Sequence, residues 1–255
     1  MIFKKCELNQ IEGLMTGYVK SLSSPVESYL EEHIKSSDHY VIIVGEKEIG
    51  YFSIYKKEML TQFYITKQYR HLAQEIFQSV KKTETVLFSY VPTCDEFFLS
   101  HALDCHSRVE RQAYFFSDSK RTISRDKILD KFSLRTATDK DIKEIIETSG
   151  EFFDKIEERV ARDEIFIALL KGKTAGFGII EKGTIMKGFV SIGMFVIPSY
   201  REQGVGRNIL LGLKKFAYEN ELKPVAGCWY YNHNSKKSLE SAGMYASCRL
   251  LKIYF

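Results

Sequence analysis

Ser191-Ile-Gly-Met-Phe-Val-Ile-Pro-Ser-Tyr-Arg-Glu-Gln-Gly-Val-Gly206 is the stretch whose reading settles the architecture. Met194 to Ile197 reads as a buried strand, Pro198 ends its ladder by removing an N–H, and Tyr200 to Gly206 forms a turn with two glycines. Ile209, Leu210, Leu213, Phe216 and Ala217 then recur at helical spacing, which predicts a helix whose apolar face seats on a sheet. Gly204 and Gly206 fall on its first turn. The opening N–H groups of a helix have no intrahelical partner, and glycines let a large anion reach the bare backbone. A pyrophosphate fits such a turn, and Arg201 and Arg207 can add charge-assisted hydrogen bonds from their planar forks of donors.

Outward from this stretch, 255 residues suit one large domain or two ordinary ones, and 44% hydrophobic residues is the content of a globular protein. Lys and Arg number 37 against 33 Asp and Glu, a net charge of +4 that requires no nucleic-acid partner. Cys6, Cys94, Cys105, Cys228 and Cys248 are scattered, odd in number and free of any Cys-x-x-Cys pair, which points to a reducing cytoplasm. The first residues break into charge too early for a signal peptide, and no run approaches the roughly 20 apolar residues of a membrane span. His101, Cys105, His106 and Cys94 include a His/Cys pair at i, i+4 spacing, yet two of them are expected on a helix packed against the sheet, and we assign no metal.

Elements alternate as in a mixed α/β fold. Helices are expected over 9–22 and 25–35, strands near 40–44, 49–55 and 62–66, and then a helix carrying Leu72, Ile76, Phe77 and Val80 on one face. The order returns later. Leu134 to Ile142 reads as a strand and a helix capped by Thr138 or Asp139, and strands 165–170, 175–180 and 189–197 follow, with Lys171-Gly-Lys173 as a hairpin turn. The polar run 117–127 separates the two passages. This gives a first domain at 1–117, a linker at 118–131 and a second domain at 132–255.

The two passages are copies. Tyr69-Arg70 returns as Tyr200-Arg201 after 131 residues, Ile76, Val80, Lys81 and Lys82 return as Ile209, Leu213, Lys214 and Lys215 after 133, and Tyr90 to Leu103 returns as Tyr230 to Gly243 after 140. Between Arg70 and its helix the first copy holds His71-Leu-Ala-Gln-Glu75, without glycine and with a carboxylate where an anion would lie. What could hold a nucleotide is missing from it.

Val-x-Pro-x-x-Arg-x-x-Gly-x-Gly, here Val196, Pro198, Arg201, Gly204 and Gly206, resembles the acyl-CoA-binding motif of the GCN5-related N-acetyltransferase family. Asn232-His-Asn-Ser235, followed at the family's distance by Gly243-Met244, extends the resemblance. It covers 134–255 well and 1–117 only as a degenerate copy, and it implies two such mixed-sheet α/β domains in tandem. It further implies acetyl-CoA as acyl donor, held by Met194, Phe195 and Val196 along the pantetheine, by Arg201, Gln203, Gly204, Val205, Gly206 and Arg207 at the diphosphate, and by Asn232. Asn232 serves equally as a helix N-cap, and Asn234 is an adjacent candidate.

In the family an amine attacks the thioester directly, and a backbone N–H of the strand before the phosphate loop, at Phe195 or Val196 here, polarises the acyl carbonyl. The tyrosine that commonly protonates the leaving thiolate is replaced by Leu239. Tyr230, Tyr231 and Glu181 are the remaining candidates for acid or base, with a strand's period of two letting only one of the tyrosines face the cleft. The expected activity is acetyl transfer from acetyl-CoA to an amine of a small molecule or peptide, with no nucleic acid and no membrane involved. A non-catalytic acyl-CoA sensor and an acyltransferase with longer or aminoacyl donors share the same fold.

Overall fold

The computed structural model describes residues 1–83 and 86–255. In chain order the first half runs β1 (Ile2–Cys6), α1 (Glu12–Ser21), α2 (Ser28–Lys35), β2 (Asp38–Val44), β3 (Lys47–Tyr55), β4 (Met59–Ile65), α3 (Ala73–Lys82), β5 (Phe88–Pro92), α4 (Glu96–Leu103) and β6 (Arg108–Asp118). The second half repeats it: β7 (Phe132–Thr136), α5 (Ile142–Ser149), α6 (Ile156–Ala161), β8 (Ile165–Leu170), β9 (Lys173–Lys182), β10 (Phe189–Val196), α7 (Val205–Glu219), β11 (Lys223–Trp229), α8 (His233–Ser241) and β12 (Met244–Tyr254).

Local chemistry explains the element ends. Thr138 starts the helical turn before α5 with a reciprocal capping box to Asp141, whose carboxylate also takes both Nη groups of Arg135 at 2.8 and 2.7 Å. That pairing holds the Asp141 carboxyl well below the usual carboxylate range. Lys171 and Gly172 both take positive φ, as a tight hairpin between β8 and β9 demands.

The strands form one continuous sheet in the order β1-β2-β3-β4-β5-β12-β6-β11-β10-β9-β8-β7. This order is palindromic by copy. Each half lends its last strand to the other: β12 pairs with β5 over Pro92↔Leu250 to Phe88↔Tyr254, and β6 pairs with β11 over Ser117↔Val225 to Ala113↔Trp229. The halves therefore close each other's sheets. Lys214 of α7 locks the exchange, its Nζ lying 2.7 Å from Asp118 Oδ1 at the end of β6, with both side chains buried. Tyr218 donates a second hydrogen bond to the same carboxylate at 2.5 Å.

Helices cover both faces. Ile209, Leu210, Leu213 and Ala217 of α7 are fully buried against Ala168, Ile192 and Ala226, and α3 and α4 build the matching core on that face in the first half around Phe63, Phe77 and Phe98. On the opposite face lie α1 and α2 over the first half and α5 and α6 over the second. Among the described residues no helix is long and apolar enough to cross a membrane.

Candidate active site between the splayed strands

Strands β10 and β11 run parallel but pair only over Phe189↔Lys223, Val190↔Pro224 and Ser191↔Val225. Beyond that rung they part. β10 stays paired with β9 as far as Val196↔Gly176 and β11 stays with β6 as far as Trp229↔Ala113, so a fork opens whose inner backbone edges face each other. Residues 193–197 are in consequence only half-buried, where the apolar run had suggested a buried strand. The fork points toward the start of α7.

Gly204 is the N-cap of α7 in the left-handed region, φ +83°, and no side chain caps the helix. The first cap-turn bond is that from the Asn208 amide to the Gly204 carbonyl at 3.1 Å, so the amides of Val205, Gly206 and Arg207 lie ahead of the helical ladder. A Cβ on Gly206 would come within 2.8 Å of Met194 Sδ, which places bare backbone against the fork. Arg207 Nη2 hangs over the turn, 2.8 Å from where a Gly204 Cβ would stand. Arg201 Nε donates to the Val196 carbonyl and Gln203 Nε2 to the Ser199 carbonyl, both of which brace the loop. Met194, Val196, Gly204, Gly206 and Arg207 are thus gathered at one place, and the donor set suits a diphosphate.

The first half has a like fork with a different filling. β4 and β5 pair only over Met59↔Phe88 and Leu60↔Ser89, but the 3-10 turn Lys67–Leu72 runs straight into α3 and the Ala73 amide is bonded to the Arg70 carbonyl. Phe63, the counterpart of Met194, stacks on Phe97 with centroids 5.8 Å apart, and the Arg70 guanidinium lies 4.5 Å above that Phe97 ring. Aromatic rings fill the fork.

Residues 7–119 match the description "Acetyltransferase (GNAT) domain" and residues 131–244 match "Acetyltransferase (GNAT) family". The chain belongs to the GNAT acetyltransferase family. It is a tandem GNAT chain, and whole solved structures superpose on it. A GNAT-family acetyltransferase from Colwellia psychrerythraea covers 100% of both chains at TM-score 0.90 and 18% identity. A GCN5-related N-acetyltransferase from Sphaerobacter thermophilus gives TM-score 0.65 at 12% identity over 99% of this chain and 94% of its own. A tandem GNAT protein from the clavulanic acid biosynthesis pathway gives 0.63 at 13% over 99% and 97%. At these identities the likeness is one of fold. A search of the curated proteins found no match.

The remaining GNAT site candidates separate in space. Asn232 is the N-cap of α8, its Oδ1 accepting from the Ser235 amide at 3.0 Å. Leu239, at the family's tyrosine position, is buried in the core. Tyr230 and Tyr231 lie in the turn after β11 rather than on the strand itself, because β11 ends at Trp229. The turn brings the two rings together, edge-on at 5.2 Å: Tyr230 stacks on Tyr114 at 4.6 Å, and half-exposed Tyr231 also packs edge-on to Trp229. The Tyr114 hydroxyl and the Arg111 guanidinium hold the Tyr230 phenol below its ordinary value. Glu181 is bound on both oxygens, by Arg159 Nη2 at 2.8 Å and by Ser28 Oγ at 2.6 Å. Of the sulfur and imidazole groups, only His101 lies on α4, and Cys105 and His106 follow its end. Among the described residues no group of three or more His, Cys, Asp or Glu is placed to hold a metal ion.

One group escaped the sequence reading. Glu27, just before α2, is 7% exposed and sits against the second half's fork, its carboxyl carbon 2.7 Å from where a Cβ on Gly227 would be. Gly227 lies two residues past the last paired rung of β11, so a larger residue there would expel the carboxyl. The adjacent Ser28 amide donates to Ser191 Oγ at 2.8 Å, on that rung. Burial, only partly offset by the Tyr29 amide, pushes the Glu27 carboxyl up to about 7. Glu31, one turn on, accepts from the amides of Thr184, Ile185 and Met186 at 2.9–3.0 Å and pins α2 to the β9–β10 hairpin. Two hydrogen bonds were also hidden: the Lys127 carbonyl, between β6 and β7, accepts from Arg207 Nε and Asn208 Nδ2 and ties that segment to the first turn of α7.

Proposed function

We propose that the second half binds acetyl-CoA and transfers its acetyl group to an amine, while the first half is a donor-free copy that completes the sheet and one wall of the site. The observation that carries this reading is the uncapped start of α7 behind Gly204, set beside an open fork, in a chain whose other fork is packed with phenylalanine. An anion at the α7 amides is favoured by the unpaired N–H groups and the helix dipole, and the open edge of β10 suits an extended amide-bearing arm that pairs as an added strand would. A carbonyl near Phe195 or Val196 would then lie where backbone N–H can polarise it.

The burial of Leu239 supports a second reading, a sensor that binds acyl-CoA and transfers nothing, since no tyrosine stands ready to protonate a thiolate there. Free-thiol release from acetyl-CoA in the presence of an amine panel separates the two. Release above the amine-free background supports transfer; tight binding with no release supports the sensor.

A further inference from the structure

A cavity of about 550 Å³ opens between α2 of the first half and α6 of the second, above the end of β9. Glu27 lines it and also touches the fork at Gly227, so the cavity and the splayed strands meet at this carboxyl. Three carboxylates that are at least two-thirds buried, Glu27, Glu164 and Glu181, stand against the single guanidinium of Arg159, which is bonded to Glu181 at 2.8 Å and to Glu164 at 3.3 Å. Lys155 and Lys182 are exposed at the rim, and Lys35 and Arg162 are already paired with Glu32 and Glu158. The inner lining is therefore short of positive charge. Glu27 is met by the backbone amides at the start of α2, and its carboxyl faces Glu181 of β9 and lies against Gly227 of β11.

We propose that this cavity admits the acceptor, a small primary amine that arrives as an ammonium and carries no anionic group, and that Glu27 takes its proton. The inference rests on the acetyl-transfer reading and adds the acceptor's class and a base supplied by the other half of the chain. The ammonium proton passes to Glu27, the freed lone pair bonds to the thioester carbonyl carbon, and the carbon–sulfur bond breaks with its electrons on sulfur. The surplus proton on nitrogen goes to the departing thiolate, and Glu27 returns its own to solvent. A partly desolvated carboxylate that titrates near neutrality is matched to this work.

The test uses the full chain and three amines of equal length: butylamine, 1,4-diaminobutane and 4-aminobutanoate, with acetyl-CoA affinity measured in parallel. We expect kcat/KM for the first two to exceed that for 4-aminobutanoate at least tenfold, and to rise with pH through a limb near 7. In Glu27→Gln that limb disappears and kcat falls by about 10²-fold or more, the usual range for a lost general base, with acetyl-CoA affinity unchanged. Gly227→Ala, which displaces the carboxyl without removing it, loses at least tenfold. Equal use of 4-aminobutanoate, an unaltered Glu27→Gln profile, or acetyl-CoA binding without transfer to any of the three overturns the inference and leaves the donor site standing. Absence of acetyl-CoA binding overturns the acetyl-transfer reading itself.

Discussion

Phe63 and Phe97 lie parallel, planes 4° apart, across the fork of the first half, where the second half has Met194 and Lys237 at the corresponding positions. Phe77 closes edge-on to the Phe63 ring at 4.9 Å. The first half thus has packed rings where the second half has an open fork, so its stability should depend on those rings more than the second half's does on Met194.

Phe63→Ala should destabilise the chain by about 3–5 kcal/mol, the usual cost of emptying an aromatic core site. Met194→Ala, at a half-buried position on an open fork, should cost less than about 1.5 kcal/mol. Urea midpoints of the two variants check the contrast.

Lys214→Met leaves the Asp118 carboxylate buried without its cation. The expected loss is about 3–5 kcal/mol, and replacing Asp118 by Leu in the same chain should recover most of it. Thermal unfolding of the single and double variants measures both. Because the pair clamps the exchanged strand β6, the single variant should also become protease-sensitive near 118–131.

Asp95 caps α4 by accepting from the Phe98 amide at 3.0 Å, while its other oxygen is buried without a partner. Burial pushes this carboxyl up to about 7, so the folded chain holds the proton more tightly than the unfolded one. The contribution of Asp95 to stability must then fall as pH rises from about 4 to about 7 and level off above. Asp95→Asn keeps the cap and removes the charge. It should match the parent at pH 4 and exceed it by roughly 1–3 kcal/mol at pH 8, as unfolding curves at both pH values will report. Glu27 and Glu164, raised by burial as well, add slope of the same sign, and His39, lowered by burial, adds slope of the opposite sign.

Much of this molecule can be read before it is seen, because backbone needs are local. Pro198, Gly204 and Gly206 announce strand end, turn and helix start within nine residues, and residues 71–75, without glycine, announce that the first copy lacks this turn. The partners of a strand are not local. Residues 108–118 and 244–254 read as strands at the ends of their halves, and nothing in either says that it will lie beside the other half. Glu27 is hidden for a related reason: a glutamate ahead of a helix looks like a solvated cap, and its burial is set by Gly227, far along the chain. The one sequence trace of that contact is a glycine inside an otherwise well-formed strand, where close approach is a standing explanation.

Glu31→Ala removes the carboxylate shared by Thr184, Ile185 and Met186. Three amides and the Thr184 hydroxyl lose their acceptor, and the cost should be about 2–4 kcal/mol. Since Glu27 immediately precedes α2, the looser helix should also slow transfer more than it weakens acetyl-CoA binding. Thermal unfolding and steady-state kinetics on the same preparation read both effects.

Calorimetric titration of the full chain with acetyl-CoA, beside Gly204→Val, tests the central claim most directly. The account predicts one site per chain, lost in the variant because valine disfavours φ near +83° and its Cβ would meet Arg207. Two sites per chain, or a single site that Gly204→Val leaves intact, would contradict it.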